Sequence, residues 1–233
     1  MNEIYVALDF PTWQEAKQFL DEHHLDGVPV KVGMELFYRE GNFVIEQLQR
    51  HNHPIFLDLK LHDIPTTVER AMRNIAKLDV DFVNVHASGG SEMMNRAKEG
   101  LLSGGSKKTK LLAVTILTSF SEEAMQKELN IEMPLEAQVV HLASLAMVNG
   151  ADGVVCSVHE VERIKAVCGK QFITMTPGIR LSAGEEHDQK RIATPKLARQ
   201  LGTDYIVIGR SITRSENPLQ AYERALEEFK NGI

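Results

Sequence analysis

Within the stretch FLDLKLHDIPTTV, Phe56–Val68, two carboxylates and an ammonium lie close together, at Asp58, Lys60 and Asp63. The segment up to Lys60 has the apolar character of a buried strand, and side chains two apart on a strand share a face. Asp58 and Lys60 therefore point one way, and Leu57, Leu59 and Leu61 the other. Asp63 follows just past the strand end, where Pro65 opens a helix. A strand built only for packing does not gather ions at its exit. A lysine between carboxylates stays protonated, which makes it a poor Schiff-base nucleophile. The same lysine is well suited to stabilise an adjacent anion and hand it a proton.

The ions need a scaffold, and the rest of the chain supplies a repeating one. Extended apolar runs are expected at Ile4–Phe10, Pro29–Gly33, Pro54–Lys60, Asp81–Ala87, Lys110–Leu117, Gly153–Ser157, Phe172–Gly178 and Tyr205–Gly209. Helical spacing separates them at Thr12–His24, Phe37–His51, Thr66–Leu78, Glu92–Leu102, Leu135–Asn149, His159–Val167 and Pro195–Leu201, and Pro218–Phe229 closes the chain. Thr12 with Glu15 reads as a capping box. Continuous β-branched runs without tight hairpins mark parallel strands buried on both faces. Eight such units in 233 residues, with no linker between them, predict a single eight-stranded parallel β/α (TIM) barrel as one domain over residues 1–233.

In that architecture functional groups collect at the C-terminal strand ends. Asp9 ends the first strand, Lys31 lies near the end of the second, and His86 ends the fourth. Thr118 follows the fifth strand. Asp9, Lys31, Asp58, Lys60 and Asp63 form an alternating set of charges that can keep both lysines protonated. After strands seven and eight come Pro177-Gly178-Ile179-Arg180 and Gly209-Arg210-Ser211. Glycine admits close backbone approach and arginine adds a fork of donors, so these loops read as a phosphate grip. Gln189, in the long polar segment Ile179–Arg191, can add a donor, and that segment can close over a ligand. The loop Ser103–Thr109 lacks P-loop spacing and reads as a solvated connection.

Composition narrows the function further. Hydrophobic residues make up 43% and charged ones 25%, the balance of a globular protein with a large core. A net charge of −6 offers nothing to a nucleic acid backbone. No signal peptide and no membrane-length apolar run is expected, and Cys156 and Cys168 have no metal-type spacing, which favours a cytoplasmic protein. No metal is expected either, because Lys31 and Lys60 stand where a divalent cation would need carboxylates.

At these residues the chain resembles the orotidine 5'-phosphate decarboxylase family. Asp58-Leu59-Lys60-Leu61-His62-Asp63 is similar to that family's D-x-K-x-x-D motif. VALDF, VKVG, VHASGG, LLAVTILTS, TPGIR, DQKR and IGRSIT follow in the family's order along nearly the whole chain. Leu181 stands where a proline is common. The resemblance implies cofactor-free conversion of orotidine 5'-phosphate to UMP and carbon dioxide, the last step of de novo pyrimidine synthesis. It implies that Lys60 protonates C6, that Asp58 lies beside the departing carboxylate, and that Asp9 and Lys31 hold ribose hydroxyls. Thr118 would approach the pyrimidine, and Arg180, Gln189, Gly209 and Arg210 would hold the phosphate. Asp63 and Thr67 would come from the partner chain of a homodimer with a shared active site; the residues themselves leave open whether Asp63 acts in its own subunit. The motif alone also fits magnesium-dependent phosphosugar decarboxylases and synthases, which carry an acidic ligand where Lys31 stands here. A non-catalytic nucleotide-binding barrel would have lost part of the charged set, and none of it is missing.

Overall fold

A computed structural model describes residues 3–181 and 191–232. The eight apolar runs become strands β1 (Glu3–Ala7), β2 (Val30–Gly33), β3 (Ile55–Leu61), β4 (Phe82–His86), β5 (Lys110–Val114), β6 (Gly153–Val155), β7 (Ile173–Thr176) and β8 (Tyr205–Ile208). Each pairs in parallel with the next, and β1 pairs with β8 through Tyr5 and Val207, closing the barrel. Helices α1 (Trp13–Glu22), α2 (Met34–Glu40), α3 (Asn42–Arg50), α4 (Pro65–Ile75), α5 (Gly90–Ser103), α6 (Glu122–Leu129), α7 (Leu135–Val148), α8 (Val161–Cys168), α9 (Pro195–Gln200), α10 (Arg210–Thr213) and α11 (Pro218–Asn231) connect the strands.

Strand parity divides the core in two. Ile4, Val6, Val30, Val32, Leu57, Leu59, Val83 and Val85 face the helices in one large cluster. Tyr5, Ala7, Phe56, Phe82, Leu112, Val114, Val155, Met175 and Val207 fill the lumen. The lumen is plugged at its N-terminal end by aromatic rings packed edge to face, with Tyr5–Phe82 centroids at 5.8 Å and Phe82–Tyr205 at 5.0 Å. The lumen is therefore a packed floor, and only its C-terminal mouth is free to hold polar groups.

Local differences from the sequence expectation have physical causes. The single helix expected over Phe37–His51 is two helices, α2 and α3, broken at Gly41, whose φ of +60° suits glycine. The connection before Leu135 contains α6, capped by the Ser121 hydroxyl, and Glu122 accepts from the Leu135 N–H at 2.7 Å. Thr12 caps α1 as expected, but Glu15 accepts from the Thr12 hydroxyl at 2.9 Å, so the reciprocal half of the capping box is absent. Among the described residues no helix is long and apolar enough to cross a membrane.

Candidate active site

The lumen-facing series on β3 runs Phe56, Asp58, and on β4 Phe82, Asn84, His86, so each strand changes from apolar floor to polar mouth within two steps. Lys31 on β2 and Asp9 beyond β1 complete a string of alternating charge. Asp9 Oδ1 accepts from Lys31 Nζ at 2.9 Å, Lys31 Nζ lies 3.5 Å from Asp58 Oδ2, and Lys60 Nζ donates to Asp58 Oδ1 at 2.6 Å. Asp58 is buried, and burial works to raise its carboxyl pKa. Lys31 and Lys60, with hydrogen bonds from Lys60 and Asn84, outweigh burial and hold that carboxyl below its ordinary value. Lys31 shows the converse: burial works to lower it, while Asp58 and Asp9 raise it above the usual lysine value. The ion pairs to Asp9 and Asp58 fix the positions of both lysine side chains, as a preorganised electrostatic site requires.

Lys60 does not reach this position by simple strand alternation. Its φ is +52°, in the left-handed region, where a non-glycine residue costs about 1–3 kcal/mol. Strand β3 pairs with β4 through Leu57–Val83 and again through Leu61–Val85, so the ladder is interrupted across Asp58, Leu59 and Lys60. Asn84 sits opposite this bulge, fully buried, accepting from the Lys60 N–H at 2.7 Å and donating to Asp58 Oδ1 at 2.7 Å. Sequence reasoning missed Asn84; its signal was an amide in lumen register between Phe82 and His86.

Asp9, Lys31, Asp58 and Lys60 line a cavity of about 490 Å³ whose floor is Ala7, Phe56, Val114, Val155 and Val207. Thr118, Gly178, Arg180, Gly209 and Arg210 line the same cavity. Gly178 has φ of +80°, a conformation that glycine adopts freely at the β7 exit. Backbone bonds from Arg180 N–H to Ala193 O (2.9 Å) and from Ala193 N–H to Gly178 O (3.1 Å) pin this exit. Arg191 adds an ion pair to Glu160 and donates to Ile116 O and Leu117 O at 3.1 Å each, tying the β7 side of the mouth to the β5 exit. A larger cleft of about 790 Å³ beside α11 shares Arg210 and Arg214 with the cavity but holds none of the Asp/Lys string.

The structure thus gathers Asp9, Lys31, Asp58, Lys60, Thr118, Arg180, Gly209 and Arg210 around one cavity. Asp63 and Thr67 are not among its lining residues. Asp63 is exposed and accepts from the Ile64 N–H at 2.6 Å, and Thr67 is exposed on α4. Gln189 lies outside the described residues. His62 and His86 pack as a tilted ring pair with centroids 5.6 Å apart. Burial first, then His62 and Lys60, keep the His86 pKa below its usual value. Among the described residues no group of three or more His, Cys, Asp or Glu is placed to hold a metal ion.

Comparison with known proteins agrees with this geometry. Orotidine 5'-phosphate decarboxylase of Bacillus mycoides (strain KBAB4) is 56% identical over 234 residues, with 98% of each chain covered. Its counterpart in Bacillus cytotoxicus is 54% identical over 232 residues, again with 98% of each chain covered. The crystal structure of orotidine 5'-phosphate decarboxylase from Lactobacillus acidophilus superposes with a TM-score of 0.87 at 44% identity, covering 97% of this chain and 98% of that one. A family match extends over residues 2–225, and with it the chain belongs to the Orotidine 5'-phosphate decarboxylase / HUMPS family.

Proposed function

We propose that this protein converts orotidine 5'-phosphate to UMP and carbon dioxide, the last step of de novo UMP synthesis, without a metal or organic cofactor. The observation that carries the reading is the Lys60 ammonium, held 2.6 Å from Asp58 at the mouth of a cavity that Arg180, Gly209 and Arg210 also line. The bond from C6 to the carboxylate breaks, the electron pair stays on C6, and carbon dioxide leaves. Lys60 Nζ supplies the proton that C6 takes up and is recharged from solvent. A carbanion without an electron sink needs charge stabilisation that is already in place, and a fixed ammonium provides it without solvent reorganisation. Asp58 lies beside the departing carboxylate, and Asp9 and Lys31 take the ribose hydroxyls. Thr118 approaches the pyrimidine. Arg180, Gly209 and Arg210, joined by Gln189, take the phosphate, and binding energy from that remote group is available to align the reacting end.

The same proposal includes a homodimer in which Asp63 and Thr67 of one chain complete the cavity of the other. Its support is their exposure on the rim and the apolar Ile64 beside them, 68% exposed. A reducing, cytoplasmic setting suits the two free cysteines, Cys156 and Cys168. The rival magnesium-dependent phosphosugar reading has to place a divalent cation beside Lys31, an ammonium paired to both Asp9 and Asp58.

The test is the loss of orotidine 5'-phosphate absorbance in the ultraviolet, with the purified protein in the presence of a chelator. Turnover is expected to persist, and Lys60→Ala should lower kcat by at least about 10⁴-fold while UMP still binds. Turnover that needs added magnesium, or an active Lys60→Ala variant, would sink the assignment.

A further inference from the structure

We propose that Asn84 is the positioning residue of the site, a single amide that fixes both the backbone of Lys60 and one oxygen of Asp58. This inference rests on the decarboxylase reading above, since it is the aim of Lys60 that it explains. Three residues of β3, Asp58 to Lys60, face one residue of β4, Asn84, because the ladder resumes only at Leu61–Val85. The Lys60 N–H has no β4 carbonyl in register, and the Asn84 side-chain oxygen takes that place at 2.7 Å. The nitrogen of the same amide donates to Asp58 Oδ1 at 2.7 Å, the oxygen that also receives Lys60 Nζ at 2.6 Å.

The chemistry leaves little freedom of residue type. A backbone N–H can only donate and an ionised carboxylate can only accept, so the bridging group needs an acceptor and a donor about one amide apart. Aspartate supplies only the acceptor, and alanine neither. The amide closes a ring that runs from the Lys60 backbone through Asn84 and Asp58 back to the Lys60 ammonium. That ring holds a left-handed lysine, which has no intrinsic reason to stay so. Asn84 is fully buried beneath the cavity and is not among its lining residues, so its effect passes through Lys60 and Asp58.

Asn84→Ala and Asn84→Asp separate positioning from simple packing. Both variants lose the donor to Asp58 and so open the ring, and kcat on orotidine 5'-phosphate is expected to fall about 10²-fold in each, with KM nearly unchanged. Asn84→Asp keeps the volume and the acceptor but sets a second carboxylate against Asp58. Its kcat/KM profile should therefore show the acid limb moved to higher pH by about one unit or more. A residue that only fills space moves neither kcat nor that limb. Should Asn84→Ala fail to fold, the near-isosteric Asn84→Asp carries the test alone. Parental kcat and an unmoved acid limb in a folded Asn84→Asp variant would overturn the inference. If the unaltered protein shows no decarboxylation, the function proposed above fails instead. Ligand-free crystal structures of the unaltered protein and Asn84→Asp then decide Asn84: Lys60 leaving its left-handed φ or its contact with Asp58 supports the role, and an unmoved Lys60 refutes it.

Discussion

Asp58 is where the cost and the use of the site meet. Its carboxylate is buried, and it stays ionised because one oxygen meets Lys60 and Asn84 while the other faces Lys31. Removing that charge leaves two lysines crowded over an apolar floor, and breaking a buried ion set from one side typically costs about 3–5 kcal/mol. The folded carboxyl sits below its ordinary value. The stability it contributes is therefore complete above the unfolded carboxylate value of about 3.9, and it is lost as pH falls through the lower folded value. Lys31 acts in the opposite sense: its pKa is raised, so its contribution is whole below the ordinary lysine value and fades as pH climbs through the folded one. Asp58→Asn should melt about 10 °C below the parent at neutral pH. Scanning calorimetry from pH 7 downward should show that gap narrowing below about pH 4 and closing as Asp58 of the parent takes up a proton. A gap constant with pH would mean that the substitution disturbs packing and that the charge set contributes nothing.

The exits of the strands place these charges, and β2 does so by leaving room. Gly33 is in register with Asp58, and a Cβ built on it would stand 3.1 Å from Lys31 Nζ and 3.6 Å from Asp9 Oδ1. Its φ of −89° suits any residue, so crowding alone decides the outcome of a substitution. Gly33→Ala should displace Lys31 by a few tenths of an ångström and lower kcat/KM roughly tenfold, with melting temperature little changed. Steady-state kinetics showing an unaffected kcat/KM would demonstrate slack in the Asp9–Lys31–Asp58 string. The strands, and the charges at their ends, were legible because a closed parallel barrel imposes apolar runs, and ions in such runs stand out. Asn84 was not legible, since an amide inside a strand carries no charge, and the bulge that makes it necessary is a matter of register between β3 and β4. Nor was the left-handed Lys60, because period-two alternation already put it on the face where the bulge finally delivers it. Gly41 lies inside the run expected as one helix, and its positive φ is what divides α2 from α3.

For the molecule as a whole, the barrel closes on itself while one acid of its motif stays outside the cavity lining. Of the D-x-K-x-x-D motif, Asp58 and Lys60 face the lumen, yet Asp63 is exposed on the rim and makes no ion pair among the described residues. Exposed Ile64 lies directly beside it, and Thr67 is exposed one turn into α4. In the proposed homodimer a two-fold interface would bring each subunit's Asp63 to the other's cavity. If Asp63 acts across such an interface, Lys60→Ala and Asp63→Asn dimers are each inactive for different reasons. A mixed dimer then has one site with both defects and one with neither. Co-expression with distinct affinity tags should yield mixed dimers with about half the parental turnover per dimer, or about a quarter in a random mixture of all three species. An Asp63 acting within its own subunit leaves every site of the mixed dimer defective, and the mixture stays as inactive as its parents.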